Sequence, residues 1–160
     1  MGVSVGSGVS LVDRSSVLKQ SGVAAPVTGT TAETTLATIP LPAGIMGLNG
    51  VLRITMVWTV TNSANNKSLR VVLGGSLFSG VDLTTTASAQ FQVHIRNRGV
   101  ANSQIGFISS SGFPFSTSGG SPVTGTVDTA VAQNLLITGQ LASGAETITL
   151  EAYTVELLNP

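Results

Sequence analysis

Apolar and polar residues alternate along most of this chain. Over residues 51–61, Leu52, Ile54, Met56, Trp58 and Val60 fall on one side of an extended backbone. Arg53, Thr55, Val57, Thr59 and Thr61 fall on the other. Over 86–97, Ala87, Ala89, Phe91, Val93 and Ile95 oppose Ser88, Gln90, Gln92, His94 and Arg96. Successive side chains of a strand point to opposite faces, so a period of two predicts strands with one buried and one wet face. Shorter runs of the same kind cover 34–41, 68–73, 104–108, 123–131, 134–141 and 146–158. Helical spacing is nearly absent. One apolar face per strand is the pattern of antiparallel sheets packed on one side.

The connections carry turn chemistry. Pro42-Ala43-Gly44 and Leu48-Asn49-Gly50 lead into the first long run, and Asn62-Ser63-Ala64-Asn65-Asn66 leads out of it. Gly74-Gly75 and Ser143-Gly144 mark tight turns, where glycine supplies a positive φ without steric cost. A longer loop over 109–122 holds Phe113 and Phe115, which either plug the end of the fold or form a contact loop for a subunit or ligand. About eight strands joined in this way point to an all-β antiparallel sandwich of jelly-roll type.

The two ends of the chain depart from this pattern. Residues 1–32 carry scattered apolar side chains and little charge, whereas a solvated tail usually carries more charge. They are expected to form an extended N-terminal arm that orders against another chain, anchored by Val3, Val5, Val9, Leu11, Val17 and Leu18, with the sandwich domain over 33–160. In the last run, Ile148, Leu150 and Ala152 share one strand parity and Tyr153, Val155 and Leu157 the other. A strand apolar on both faces is buried twice or half-used in a subunit interface. Tyr153, Val155 and Leu157 are therefore expected at a subunit interface.

Composition narrows the chemistry. The chain has 160 residues, 9% charged, with seven Lys+Arg against seven Asp+Glu and no Cys. Without excess positive charge there are few counterions to release, so no nucleic-acid partner is expected. Thiolate metal sites and disulfides are excluded by the missing cysteines. Ser and Thr, 19 and 20 in number, make up about a quarter of the chain. Apolar stretches are interrupted far short of the roughly 20 residues a membrane helix needs. The first residues lack the basic and apolar regions of a signal peptide, and Gly6 stands where a myristoylation pattern wants Ser or Thr. These features predict synthesis in a cytosol and no membrane partner.

No catalytic constellation emerges. His94 is the one imidazole and sits on the polar side of its run between Gln92 and Arg96, so a multi-histidine metal site is excluded. A Ser/His/Asp triad needs a histidine beside a serine and an acid, and the acids Asp13, Glu33, Asp82, Asp128, Glu146, Glu151 and Glu156 are scattered. Gly2, Gly6 and Gly8 lack the Gly-Lys-Ser/Thr of a phosphate loop. Asn66-Lys67-Ser68 fits a glycosylation sequon, which has no use without export. Arg53, Lys67, Arg70, Arg96 and Arg98 are expected in ion pairs between subunits. The expectation is a protein that is not an enzyme, with no cofactor, no metal and no small-molecule substrate.

Several stretches resemble small jelly-roll virion proteins of tailed bacteriophages. They are Thr34-Thr35-Leu36-Ala37-Thr38-Ile39-Pro40-Leu41-Pro42-Ala43-Gly44, Gly50-Val51-Leu52-Arg53-Ile54-Thr55 with Trp58, and Thr61-Asn62-Ser63-Ala64-Asn65-Asn66-Lys67 with Gly74-Gly75. Asp128-Thr129, Leu141-Ala142 and Ile148-Thr149-Leu150-Glu151-Ala152-Tyr153 continue the likeness, which spans roughly residues 33–158. The resemblance implies a homotrimeric β-sandwich on the outer surface of a virion, made in the host bacterial cytoplasm. Its role would be a capsid decoration, or cement, protein bound to the major capsid protein. A head-fibre or tail-fibre module that recognises a host receptor is the alternative. The resemblance brings no catalytic residue. The chain has no heptad or repeated shaft segment before the sandwich, which favours the decoration role.

Overall fold

The computed structural model describes residues 15–107 and 121–159, and these residues are all-β. Eleven strands follow in chain order: β1 Ser15–Ser21, β2 Ala25–Thr28, β3 Thr34–Leu41, β4 Val51–Val60, β5 Lys67–Leu73, β6 Ser76–Leu83, β7 Ser88–Asn97, β8 Gln104–Gly106, β9 Val123–Gly125, β10 Gln133–Leu141 and β11 Thr147–Leu158. They form two antiparallel sheets that enclose one apolar core. The larger sheet runs β1-β11-β4-β7-β8-β9, with β2 beside β1 on the same edge of β11. The smaller runs β3-β10-β5-β6.

Alternation sets which side chains enter the core. Leu52, Ile54, Met56, Trp58 and Val60 of β4 face inward with Val93 and Ile95 of β7. They meet Ile39 and Leu41 of β3, Leu69, Val71 and Leu73 of β5, and Leu135 and Ile137 of β10. Apolar area removed from water in this way stabilises by roughly 25 cal/mol per Å².

The last strand departs from its sequence reading, and the reason is a β-bulge. Leu150 pairs with Trp58 and Ala152 with Val57, so Glu151 is an extra residue without a partner on β4. One extra residue reverses strand parity. Ile148 and Leu150 before it, and Tyr153, Val155 and Leu157 after it, all point into the same core. The expected interface residues Tyr153, Val155 and Leu157 are thus buried within their own chain and offer no surface to a subunit.

The expected arm is also revised. Within 15–32, β1 pairs with Tyr153–Leu158 and β2 with Thr147–Leu150, so this stretch completes the larger sheet rather than standing apart from residue 33 onward. Leu18 sits at a bulge in β1 and packs against the core, while Val17 lies on the outer face, exposed. Lys19 reaches over the edge to donate to the Thr38 carbonyl oxygen of β3, 3.1 Å away. A lysine turned across an edge strand blocks further strand addition there. Val3, Val5, Val9 and Leu11 lie outside the described residues, as do Phe113 and Phe115.

A candidate docking end

Register places three loops at one end of the sandwich. One cross-strand row crosses the larger sheet through Ser15, Leu158, Val51, Arg96, Ile105 and Thr124. Beyond it lie loops 42–50, 98–103 and 126–132 and the Gly74-Gly75 turn. Among the described residues, the loops at the opposite end are 29–33, 61–66, 84–87 and 142–146, which are built from Gly, Ala, Ser, Thr, Asn and Glu. The first end is different: Leu48, Val100 and Val131, one from each loop, are 56%, 48% and 52% exposed.

These loops are braced. Gly44 N donates to Thr129 O at 2.9 Å, Gly99 N to Leu48 O at 3.0 Å, and Thr129 N to Ala101 O at 3.0 Å. Beneath them lies a buried amide network. Asn97 Nδ2 donates to Gly47 O at 2.6 Å and to Thr129 Oγ1 at 2.9 Å, and Thr129 Oγ1 donates to Ala101 O at 2.7 Å. Gln104 Nε2 lies 2.9 Å from Asn97 Oδ1, Ala101 O and Val127 O, while its Oε1 accepts from Val127 N at 2.9 Å. Met46, almost fully buried, roots loop 42–50 in the core, and Asn159 Nδ2 donates to Ile45 O at 3.3 Å. Side chains held on such a frame lose little freedom on binding, which favours an interface. Three exposed aliphatic side chains on a braced surface are more than scattered surface residues.

Charge at this end is uncompensated. Arg98 and Asp128, both exposed, form no ion pair with any described residue. Asp128 Oδ1 accepts only the local Ala130 N–H, at 2.9 Å.

Of the basic residues expected in inter-subunit ion pairs, Arg53, Lys67 and Arg70 pair within the chain, while Arg96 and Arg98 form no ion pair with any described residue. Arg53 grips Glu156 with two hydrogen bonds of 2.7 Å on the outer face of the larger sheet. That bidentate contact holds the Glu156 carboxyl below the ordinary range. His94 is the next residue in that row, opposite Arg53. Burial first, then the charges of Arg96 and Arg53, hold its imidazole below the ordinary value. Arg70 pairs with Glu33 at 2.6 Å on the smaller sheet. Lys67, fully buried, donates to Ser63 O and Oγ, with Glu146 Oε2 at 3.9 Å. Glu146 accepts from the Ser63 hydroxyl and from Asn65 Nδ2. These contacts tie loop 61–66 to loop 142–146.

Among the described residues, no three His, Cys, Asp or Glu side chains gather to hold a metal ion. No described helix is long and apolar enough to cross a membrane. An open groove of about 370 Å³ runs along Pro40, Leu41, Pro42, Ala132, Gln133 and Asn134, without an ionisable group in its lining. None of the expected site residues lies among the three exposed side chains of the docking end. Leu48, Val100 and Val131 sit in turn-like stretches, and the signal that could mark them is a large aliphatic side chain in a Gly/Asn/Ser-rich loop.

No family model matches the chain, and no curated protein matches it. Its fold is similar to parts of solved structures. One is dimeric latent PorU from Porphyromonas gingivalis, at 10% identity and a TM-score of 0.41, covering 86% of this chain and 12% of that one. A lectin from Bauhinia forficata in complex with GalNAc is similar at 8% identity and a TM-score of 0.32, covering 79% of this chain and 76% of the lectin. A chain of infectious bursal disease virus, Gx strain, is similar at 11% identity and a TM-score of 0.26, covering 91% of this chain and 40% of that one. At these identities and TM-scores the likenesses assign no function.

Proposed function

We propose that this chain is a structural protein of a tailed-bacteriophage virion, a capsid decoration protein that binds the major capsid protein as a homotrimer on the outer surface of the particle. It would be made in the host bacterial cytoplasm and act without catalysis or cofactor. The observation that carries the reading is the contrast between the two ends of the sandwich. One end is braced and displays Leu48, Val100 and Val131; the described loops of the other are hydroxyl- and amide-rich. A body that assembles with its copies through one end and leaves the other to solvent suits a surface lattice. The strand order β2-β11-β4-β7 over β3-β10-β5-β6 supports the jelly-roll-like reading behind the sequence resemblance. A core closed without cysteine suits assembly in a reducing cytosol.

Quantitative mass spectrometry of purified particles tests this. The expected result is a copy number comparable to that of the major capsid protein. A copy number that is a small fraction of it overturns the decoration role and favours the fibre module. Particles stripped of this protein are expected to lose DNA at a lower temperature than complete ones.

A further inference from the structure

The braced end has the composition of a surface that meets a copy of itself. Its aliphatic side chains, Leu48, Val100 and Val131, come from three loops joined by backbone hydrogen bonds, so they are presented together. Beside them stand one cation, Arg98, and one anion, Asp128, each without an ion-pair partner among the described residues. Loop 98–103 and loop 126–132 touch through Thr129 and Ala101, so both charges belong to one surface. An acidic partner would leave Asp128 opposed by like charge, and a basic partner would do the same to Arg98. A surface carrying both signs about an apolar centre is matched by its own rotated copy. In a closed ring of odd number the contacts are heterologous, so a residue on one copy meets a different residue on the next.

We infer that the braced end is the contact between copies of this chain, with Leu48, Val100 and Val131 at its centre and Arg98 of each copy facing Asp128 of the next. This rests on the homotrimer in the proposed function and names its contact surface, in place of Tyr153, Val155 and Leu157, which the core absorbs. Each sheet face carries an ion pair of its own, Arg53 with Glu156 and Arg70 with Glu33, although Arg96 and Asp82 there also lack an ion-pair partner among the described residues. At the braced end, unpaired charges of both signs flank the exposed aliphatic side chains.

The test is multi-angle light scattering of the full chain over a dilution series, with four variants. Val100→Asp is expected to run as a monomer at concentrations where the natural chain is a trimer. Its unfolding midpoint extrapolated to the monomer should be unchanged, because the side chain is half exposed. Arg98→Asp and Asp128→Arg are each expected to raise the half-dissociation concentration about tenfold, and the double swap to restore it. Ala64→Asp, at the opposite end, leaves the assembly intact. A natural chain that is monomeric throughout, a Val100→Asp variant that stays trimeric, or a double swap no better than its parents overturns the inference. Copy number in particles is measured independently. An abundant virion protein that is monomeric in solution would sink the inference and the homotrimer but leave the decoration role, and a trimer broken as expected but absent from particles would sink the decoration role and leave the inference.

Discussion

The ring of Phe78 lies where a side chain on Gly125 would be. A Cβ built on Gly125 falls 2.4 Å from Phe78 Cζ, and one built on Gly106 falls 3.2 Å from Phe78 Cδ1. Phe78 is the extra residue of a bulge in β6 and is fully buried. It therefore reaches from the smaller sheet onto bare backbone of β8 and β9. Two glycines in adjacent short strands would weaken that edge, and the aromatic ring covers them.

Gly125→Ala is accordingly expected to destabilise the fold by about 1–3 kcal/mol, because the ring is enclosed and cannot swing clear. Gly22→Ala is the control, since its Cβ meets nothing within 4 Å. A urea titration of both variants checks this. Equal midpoints for the two would show that Phe78 yields freely.

The same residues show how far a sequence can be read. β4 and β7 follow their alternation from end to end, because nothing interrupts the pleat. β6 is invisible to that reading. Phe78 and Ser79 are buried in succession at the bulge and Gly80 follows them, so the period of two is lost. β1 is hidden for another reason: an edge strand needs little core contact, and only Leu18 supplies it. One residue separates the interface expected at Tyr153, Val155 and Leu157 from their burial in the core. A bulge has no sequence signature, and Glu151 reverses the parity of everything after it. The docking end was not legible because Leu48, Val100 and Val131 become neighbours only through long-range loop contacts.

Deleting Glu151 tests that account. Without the extra residue, either Ile148 and Leu150 or Tyr153, Val155 and Leu157 must turn to the outer face. The expected outcome is a chain that fails to fold, detected by loss of the near-ultraviolet signal of buried Trp58. Glu151→Ala keeps the bulge and removes only the Thr59 hydroxyl contact, so it is expected to fold with a loss of at most about 1 kcal/mol.

Gln104 should be the most costly single polar residue at the braced end. Gln104→Leu leaves the Val127 N–H, Asn97 Oδ1 and the Ala101 and Val127 carbonyls without their side-chain partner. Unsatisfied buried groups cost about 1–3 kcal/mol each, partly relieved here by Thr129 and by water. The expected loss is about 2–4 kcal/mol, with faster hydrogen exchange at Val127 and unchanged exchange in β4. Uniform loss of protection across the sandwich would show instead that Gln104 supports the whole core.

Acid should act at the opposite end, through Glu146. Hydrogen bonds from Ser63 first and Asn65 second, then the charge of Lys67, hold its carboxyl below the ordinary range of 4.5 against the effect of burial. A carboxyl whose folded pKa is depressed contributes stability that is fully present above its unfolded pKa and is lost as pH falls through the folded one. Glu156, held low by Arg53, acts in the same direction. Stability is therefore expected to be level near neutrality and to decline below about pH 4.5. Glu146→Gln separates the two groups. It keeps the shape of the side chain but leaves buried Lys67 without its nearest carboxylate. The variant should be less stable than the natural chain at pH 7, and the gap should close on acidification, because the natural chain loses the same charge there. Urea midpoints taken from about pH 3 to pH 7 measure that gap directly. A gap that stays constant across the range would assign the stabilisation to the shape of the Ser63–Asn65–Glu146 contact and not to its charge.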